Sequence, residues 1–381
     1  MPVELTRRQR ALRCFRWQPF DRVPIYPPIP FDPGRWERGE LQPWQEHENY
    51  RVVAELVERY CQLEGRHRAA GGLFSRAYAL IPAEHIERAS VEQVGERTII
   101  TTLVHTPKGD LRTVTARDRE VTTAWMVEPL IKSEADVEAL LSVPFEPNLP
   151  DPEPFAAERR AWGERGLVEL GVSTPLVCAS HTMPFELFLE WTASKRPVVE
   201  RLIATIFERI HVRLEHLLES GAIECIWMGG SEQATPPMMS YDFYEDLVVP
   251  YDGRLIELAK SHGALVHIHC HGKVNDVLDL MMAMGADMTD PVEPPPDGDV
   301  HFADAKRRCR RRMVLMGNIE FRHMEQCSTG EIDELVRRAI CEGGKSGVML
   351  YPSATPITWM SDQLRDNCLQ YIQSGLKYGE M

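Results

Sequence analysis

Three histidines spaced two residues apart, His267, His269 and His271, close an apolar run that ends at Gly272. In extended backbone successive side chains alternate between faces, so the three imidazoles share one side and Cys270 turns to the other. Imidazole is the commonest metal ligand and titrates nearest neutral pH, so such a face can hold Zn2+ or move protons. Glu232 follows Gly229, Gly230 and Ser231. Its carboxylate can complete a two-histidine, one-carboxylate metal set with His269 and His271, or serve as an acid–base group. Asp290, just before Pro291, is a second carboxylate with catalytic potential. Capping a turn is the plainer role for both acids. Asn318, Tyr351 and Ser353 are candidates for substrate binding, as is His267, for which a hydrogen-bonded core position is an equal alternative.

These residues share a context. From about residue 166 short apolar runs alternate with longer amphipathic ones, the pattern of βα units on a parallel sheet. Strands are expected at 168–172, 222–228, 264–270, 286–289, 313–316 and 347–350, and helices at 197–219, 241–261, 274–284, 330–341 and 362–376. Pro250 should kink the second of these helices. Residues 23–26 and one further early strand bring the strand count to eight. No Gly-x-Gly-x-x-Gly follows a strand, so a dinucleotide-binding open sheet is disfavoured. The expected fold is α/β, a (β/α)8 TIM barrel formed as one domain over residues 1–381. Its N-terminal elaboration within residues 1–150 holds helices and a β-hairpin at 98–104 and 111–115, and regular βα units occupy 160–378. In such barrels chemistry sits at and past the C-terminal strand ends, where His269, His271, Glu232, Asp290, Asn318, Tyr351 and Ser353 fall.

Composition narrows the function. Apolar residues make up 43% of the chain and charged residues 26%, enough to bury a large core. A formal charge of −14 disfavours nucleic acid and anionic membranes as partners. The basic cluster from Lys306 to Arg312 reads as the solvated end of a helix. Nine scattered cysteines without a Cys-x-x-Cys pair suit a reducing compartment, and no stretch is apolar enough to span a bilayer, so a cytoplasmic location is expected. The clustered methionines Met281, Met282 and Met284 read as core packing.

Several segments carry a family resemblance. Asp21-Arg22-Val23-Pro24, Thr106-Pro107-Lys108-Gly109 with Pro129-Leu130-Ile131-Lys132, and Met239-Ser240-Tyr241-Asp242-Phe243 are three of them. His269-Cys270-His271-Gly272, Gly317-Asn318-Ile319 and Tyr351-Pro352-Ser353 complete the set. Together they resemble the uroporphyrinogen decarboxylase superfamily over nearly the whole chain. The resemblance implies a (β/α)8 barrel, often dimeric, and one of two activities. One branch decarboxylates uroporphyrinogen acetate groups without a cofactor, using arginines of an N-terminal segment and an aspartate. The other moves methyl groups between corrinoid proteins and a thiol or other acceptor, with zinc held by His-x-Cys and a later Cys.

The arginine segment is missing here, since the chain after Pro24 reads Ile25-Tyr26-Pro27-Pro28-Ile29-Pro30-Phe31-Asp32, with only Arg35 and Arg38 beyond. His269 stands at the second branch's histidine, but His271 takes the place of its first cysteine and Ser353-Ala354 that of its second. A harder site of imidazole and carboxylate replaces a soft thiolate one. The expected function is therefore a metal-assisted, methyltransferase-like enzyme that moves a methyl group between a corrinoid carrier protein and a small thiol or hydroxyl compound. A cofactor-independent decarboxylase of a carboxylic acid is the alternative, and a non-catalytic barrel binding a tetrapyrrole or corrinoid is a third reading.

Overall fold

The computed structural model describes residues 4–67, 81–119, 124–147 and 149–381. Two sheets form among them. β1 (Leu63–His67) precedes β2 (Ile86–Val94), β3 (Arg97–Val104), β4 (Leu111–Asp118) and β5 (Trp125–Glu128), and the last four pair antiparallel in that order. The expected hairpin is the centre of this small sheet, with Val104 opposite Leu111. Next come β6 (Gly166–Ser173), β7 (Cys225–Gly229), β8 (Leu265–His269), β9 (Met288–Val292), β10 (Val314–Ile319) and β11 (Val348–Pro352). They join β1 in a seven-stranded, all-parallel curled sheet of order β1-β6-β7-β8-β9-β10-β11.

The eighth strand expected at residues 23–26 is instead a single parallel bridge from Ile25 to Leu350 of β11. Tyr26 N–H donates to Leu350 O, Leu350 N–H to Pro24 O, and Gln62 N–H, at the start of β1, to Ile25 O. The segment thus bonds toward both edges of the sheet. Pro24, Pro27 and Pro28 have no N–H to extend a ladder, which is why it does not become a regular strand.

Alternation along each strand divides the interior into layers. At the N-terminal strand ends Leu167, Cys225, Leu265, Met288, Val314 and Met349 point inward. They pack on Ala11, Cys14 and Phe15 of the helix Arg7–Phe15, which plugs that end. Thr6 begins this helix with a capping box shared with Gln9, which fixes where the plug starts. Phe15 is 2% exposed, and burying a side chain of its size contributes about 2–3 kcal/mol. On the outer side Val266, Ile268 and Cys270 join the apolar cluster formed with the surrounding helices, as the alternation predicts.

The helices differ from expectation mainly at their ends. Arg196–Glu219, Thr329–Gly343 and Asp362–Gly379 match the expected spans within a few residues. The expected kinked helix at 241–261 is a break, with Tyr241–Leu247 and Val249–Ser261 separated at Val248. Pro250 lies in the first turn of the second helix, where no N–H partner is needed. The helix expected from 274 is regular only over Leu278–Met284. The basic cluster sits at the end of the helix Phe302–Cys309 and just beyond it. No helix among the described residues is long and apolar enough to cross a membrane.

Candidate active site

Above the apolar floor the inward side chains turn polar, and four of them form a line across three strands. Glu169 of β6 and Asp290 of β9 are fully buried, as is His267 of β8 between them. His267 Nδ1 is 2.8 Å from Glu169 Oε1, and its Nε2 is ion-paired with Asp290 Oδ1 at 2.6 Å. The other oxygen of Asp290 lies 3.0 Å from His269 Nδ1. Burial opposes charge on His267, but Glu169 and Asp290 on either side outweigh it and push its pKa up to about 10. Burial would likewise raise Asp290, yet His269 and His267 hold it well below the ordinary carboxylate range. Glu169, also lowered against its burial, owes this chiefly to His267. Both acids therefore act as anions. Glu64 of β1 shares the layer, and burial with Glu169 nearby pushes it up to about 8.

One layer higher is the mouth. His269 stacks on Trp227 of β7 with ring centroids 4.8 Å apart, and its ring meets that of His271 edge-on at 4.7 Å and 89°. His271 has its own carboxylate: Nδ1 is 3.1 Å from Glu293 Oε1, while Gly272 N–H donates to Glu293 Oε2 at 2.5 Å. Gly272 adopts φ +90°, a left-handed conformation suited to glycine, and this turns its N–H onto that acid. Burial would lower the pKa of His271, but the hydrogen bond and charge of Glu293 raise it. Across the mouth Gly230 N–H donates to His269 O at 2.5 Å, an approach so close that a Cβ on Gly230 would lie 1.9 Å from that oxygen. The Gly229-Gly230 pair therefore serves to seat β8.

Each mouth imidazole is thus held through Nδ1 by a carboxylate, and neither Nε2 has a protein partner among the described residues. Glu232 reaches the backbone of His271, whose N–H donates to its Oε2 at 3.5 Å. A cavity of about 870 Å³ opens beside His271 and Glu232, walled by Met183, Phe185, Met238 and, from β5, Val127. It is of a size to take a small organic molecule against two polar groups.

Carboxylate-backed imidazoles are the usual outer-shell arrangement of metal-ligating histidines. Yet no three His, Cys, Asp or Glu side chains among the described residues converge as a group able to hold a metal ion. Cys270 is buried on the outer face, as expected. The donor set in place is a pair of imidazoles, which does not by itself fit a zinc site.

The other expected residues occupy distinct places. His267 is the hydrogen-bonded core member of the histidine trio, one layer below the mouth. Asp290 reaches the mouth only through His269. Tyr351 lies in the inner layer against Tyr26, ring centroids 4.0 Å apart. Asn318 is half-buried at the end of β10. Ser353 is engaged within the rim, its hydroxyl donating to Glu320 Oε2 at 3.0 Å and accepting from Phe321 N–H at 2.9 Å. Burial and the nearby charge of Glu293 push Glu320 up to about 7.

Sequence reasoning missed Glu169, Glu293, Trp227 and Arg66 of β1, whose guanidinium lies over the Trp227 ring. Glu169 is an acid inside an apolar strand and Glu293 the first acid after Asp290-Pro291-Val292, both visible in principle. Trp227 and Arg66 carried no comparable signal, since either residue type is at home on many surfaces.

A parallel α/β sheet, curled and floored at one end with ionisable side chains gathered at its C-terminal strand ends, defines the class: a barrel-like α/β fold with a strand-end site. Residues 127–353, more than half of the chain, match the family model described as Uroporphyrinogen decarboxylase (URO-D), and the chain belongs to that family. Among solved structures, a methyltransferase from Methanosarcina mazei is similar over 98% of this chain and 99% of its own, with a TM-score of 0.62 at 16% identity, which shows a shared fold. A D-psicose 3-epimerase from Clostridium cellulolyticum H10 matches 65% of this chain and 84% of its own at 10% identity and a TM-score of 0.34. No curated protein matches the sequence.

Proposed function

We propose that this protein is a methyltransferase-like enzyme with a completed (β/α)8 barrel, in which His269 and His271 manage the acceptor's proton while a methyl group is moved. The observation that carries this reading is the pair of mouth imidazoles, each fixed through Nδ1 by a carboxylate, with His271 lining the cavity and His269 edge-on against His271. Asp290 is anionic and holds the proton of His269 on Nδ1, so Nε2 has its lone pair free. A thiol or hydroxyl acceptor placed there gives its proton to Nε2 as its sulfur or oxygen forms the bond to the methyl carbon and the donor–methyl bond breaks. Without that base the acceptor is a poor nucleophile. A corrinoid carrier protein over the mouth is the proposed methyl donor, and the fold shared with the Methanosarcina mazei methyltransferase is compatible with it. A cytoplasmic location and a dimer belong to the same proposal.

Methylcobalamin tests the reaction. The purified protein, given methylcobalamin and a series of small thiols and phenols, is expected to demethylate the corrinoid, followed by its absorbance change, with loss of at least about 100-fold in rate for His269→Ala. No demethylation above the rate without protein, for any acceptor, would sink the reading.

The raised pKa of His271 supports a second reading, decarboxylation of a carboxylic acid in which His271 as imidazolium protonates the developing carbanion. It predicts CO2 release with no carrier present.

A further inference from the structure

The mouth has a second side. Arg66 of β1 lies with its guanidinium carbon 3.8 Å from the centre of the Trp227 ring, on which His269 also stacks. A separate cavity of about 560 Å³ reaches Arg66 from the N-terminal segment, with Phe31, Trp44, Tyr50, Arg35 and Asp32 among its walls. The two cavities differ in charge. Around the first, Glu186, Glu232 and Asp297 stand against Lys273. Around the second, Arg35 and Arg66 stand against Asp32, a net positive lining in a chain of formal charge −14. Asp32 is already occupied in accepting from Arg35 N–H as a helix cap.

Arg66 has donor capacity to spare. A guanidinium carries five N–H donors in a planar fork. Among the described residues its one ion pair, to Glu169 Oε2, is long at 3.7 Å, and its buried Nε has no hydrogen-bond acceptor. The side chain is 30% exposed and lines this cavity, so its terminal N–H groups can meet a ligand oxyanion. The aromatic walls would hold a flat apolar body behind such a group.

We infer that this second cavity is an anion subsite, which binds a small organic carboxylate with its oxygens on the Arg66 guanidinium and its apolar body between Phe31 and Trp44. Arg35 at the outer wall adds long-range attraction. The subsite is independent of the reaction at His269 and His271, from which the Trp227 indole separates it.

Binding is tested without turnover, so its failure leaves the methyl-transfer reading standing. The full chain is labelled with 5-fluorotryptophan, and the 19F signals of Trp44 and Trp227 are assigned with Trp44→Phe and Trp227→Phe. Benzoate, neutral benzamide and inorganic phosphate are titrated at constant ionic strength. Benzoate should shift both signals saturably and bind at least about tenfold tighter than benzamide. Arg66→Gln should erase that preference, and exposed Arg35→Ala should weaken benzoate severalfold. Phosphate competing with benzoate marks a general oxyanion site, and phosphate without effect marks a carboxylate-selective one, both within the proposal. If Arg66→Gln does not fold, Arg66→Lys keeps the charge without the fork and should shrink the preference. Equal binding of benzoate and benzamide, signals unmoved by either, or wild-type preference in the Arg66 variant overturns the subsite.

Discussion

Asp290 places one carboxylate oxygen 3.0 Å from His269 Nδ1 while it is itself fully buried. A residue that never meets solvent thereby sets the orientation and proton position of one that does. Replacing Asp290 by Asn removes the charge and lets the ring take the other tautomer. Methyl transfer should fall by about 100-fold or more with little change in KM, measured under saturating acceptor. Unchanged kcat would show that His269 does not need its carboxylate.

Glu293 does the same for His271 from the next loop. In Glu293→Gln the burial of His271 is no longer opposed by a charged partner, so its pKa should drop below that of the wild type, read from imidazole NMR signals across a pH titration. If decarboxylation is the reaction, the alkaline limb of the rate profile should move to lower pH with it. A His271 signal that titrates identically in both proteins would break this link.

Stability should decline from about pH 5 toward pH 10. His267, raised to about 10 in the fold, stabilises fully below its unfolded value near 6.5, and that contribution is lost as pH rises through 10. Glu64, raised to about 8, and Asp252, which burial pushes up to about 7, must ionise inside the protein. Each therefore subtracts stability as pH climbs from its unfolded carboxyl value to its folded one. Glu169 and Asp290, both lowered, act oppositely and only in acid: their contribution is present above their unfolded values and lost as pH falls through their folded ones. Urea midpoints at mildly acidic, neutral and alkaline pH should decrease in that order, and a midpoint that rises toward alkali would contradict the buried charge arrangement.

Gly230→Ala puts a methyl carbon where the carbonyl of His269 now sits, 1.9 Å away. Backbone must move, so a loss of about 1–3 kcal/mol is expected together with reduced activity per folded molecule. Gly95→Ala offers a contrast. Gly95 has positive φ, unlike Gly230, but its Cβ would meet nothing within 4 Å, so stability should drop only through φ strain and activity should persist. Equal activity loss in both would remove the positional argument.

Phe15 belongs to the plug at the far end of the sheet. Truncation to Ala should cost about 3–5 kcal/mol of unfolding free energy yet leave kcat of the folded enzyme near wild type, since the mouth lies two layers away. Denaturant unfolding and kinetics on the same sample separate the two effects.

Much of the architecture was legible because periodicity is local. Alternation along Leu265, Val266, His267, Ile268 and His269 already states which side chains share a face, and β8 follows it. The six strands from residue 166 onward lie near their expected positions for the same reason. What misled was one segment: the proline-rich 23–26, read as a regular strand, supplies a single bridge instead. The roles within the histidine trio were only half visible, because a sequence shows that three rings face one way but not how deep each lies.

By itself the sequence determined the parallel strand-and-helix order and the inward face of β8, both consequences of repeat periods two and 3.6 along one chain. Only the tertiary structure decided that Asp290 serves His269, that Glu293 serves His271, that Glu169 and His267 form a buried base beneath them, and that Arg66 meets Trp227. Those pairings join residues from 21 to about a hundred and sixty positions apart. Curling the sheet brings them within hydrogen-bond or ring contact, and burial then makes their charges matter.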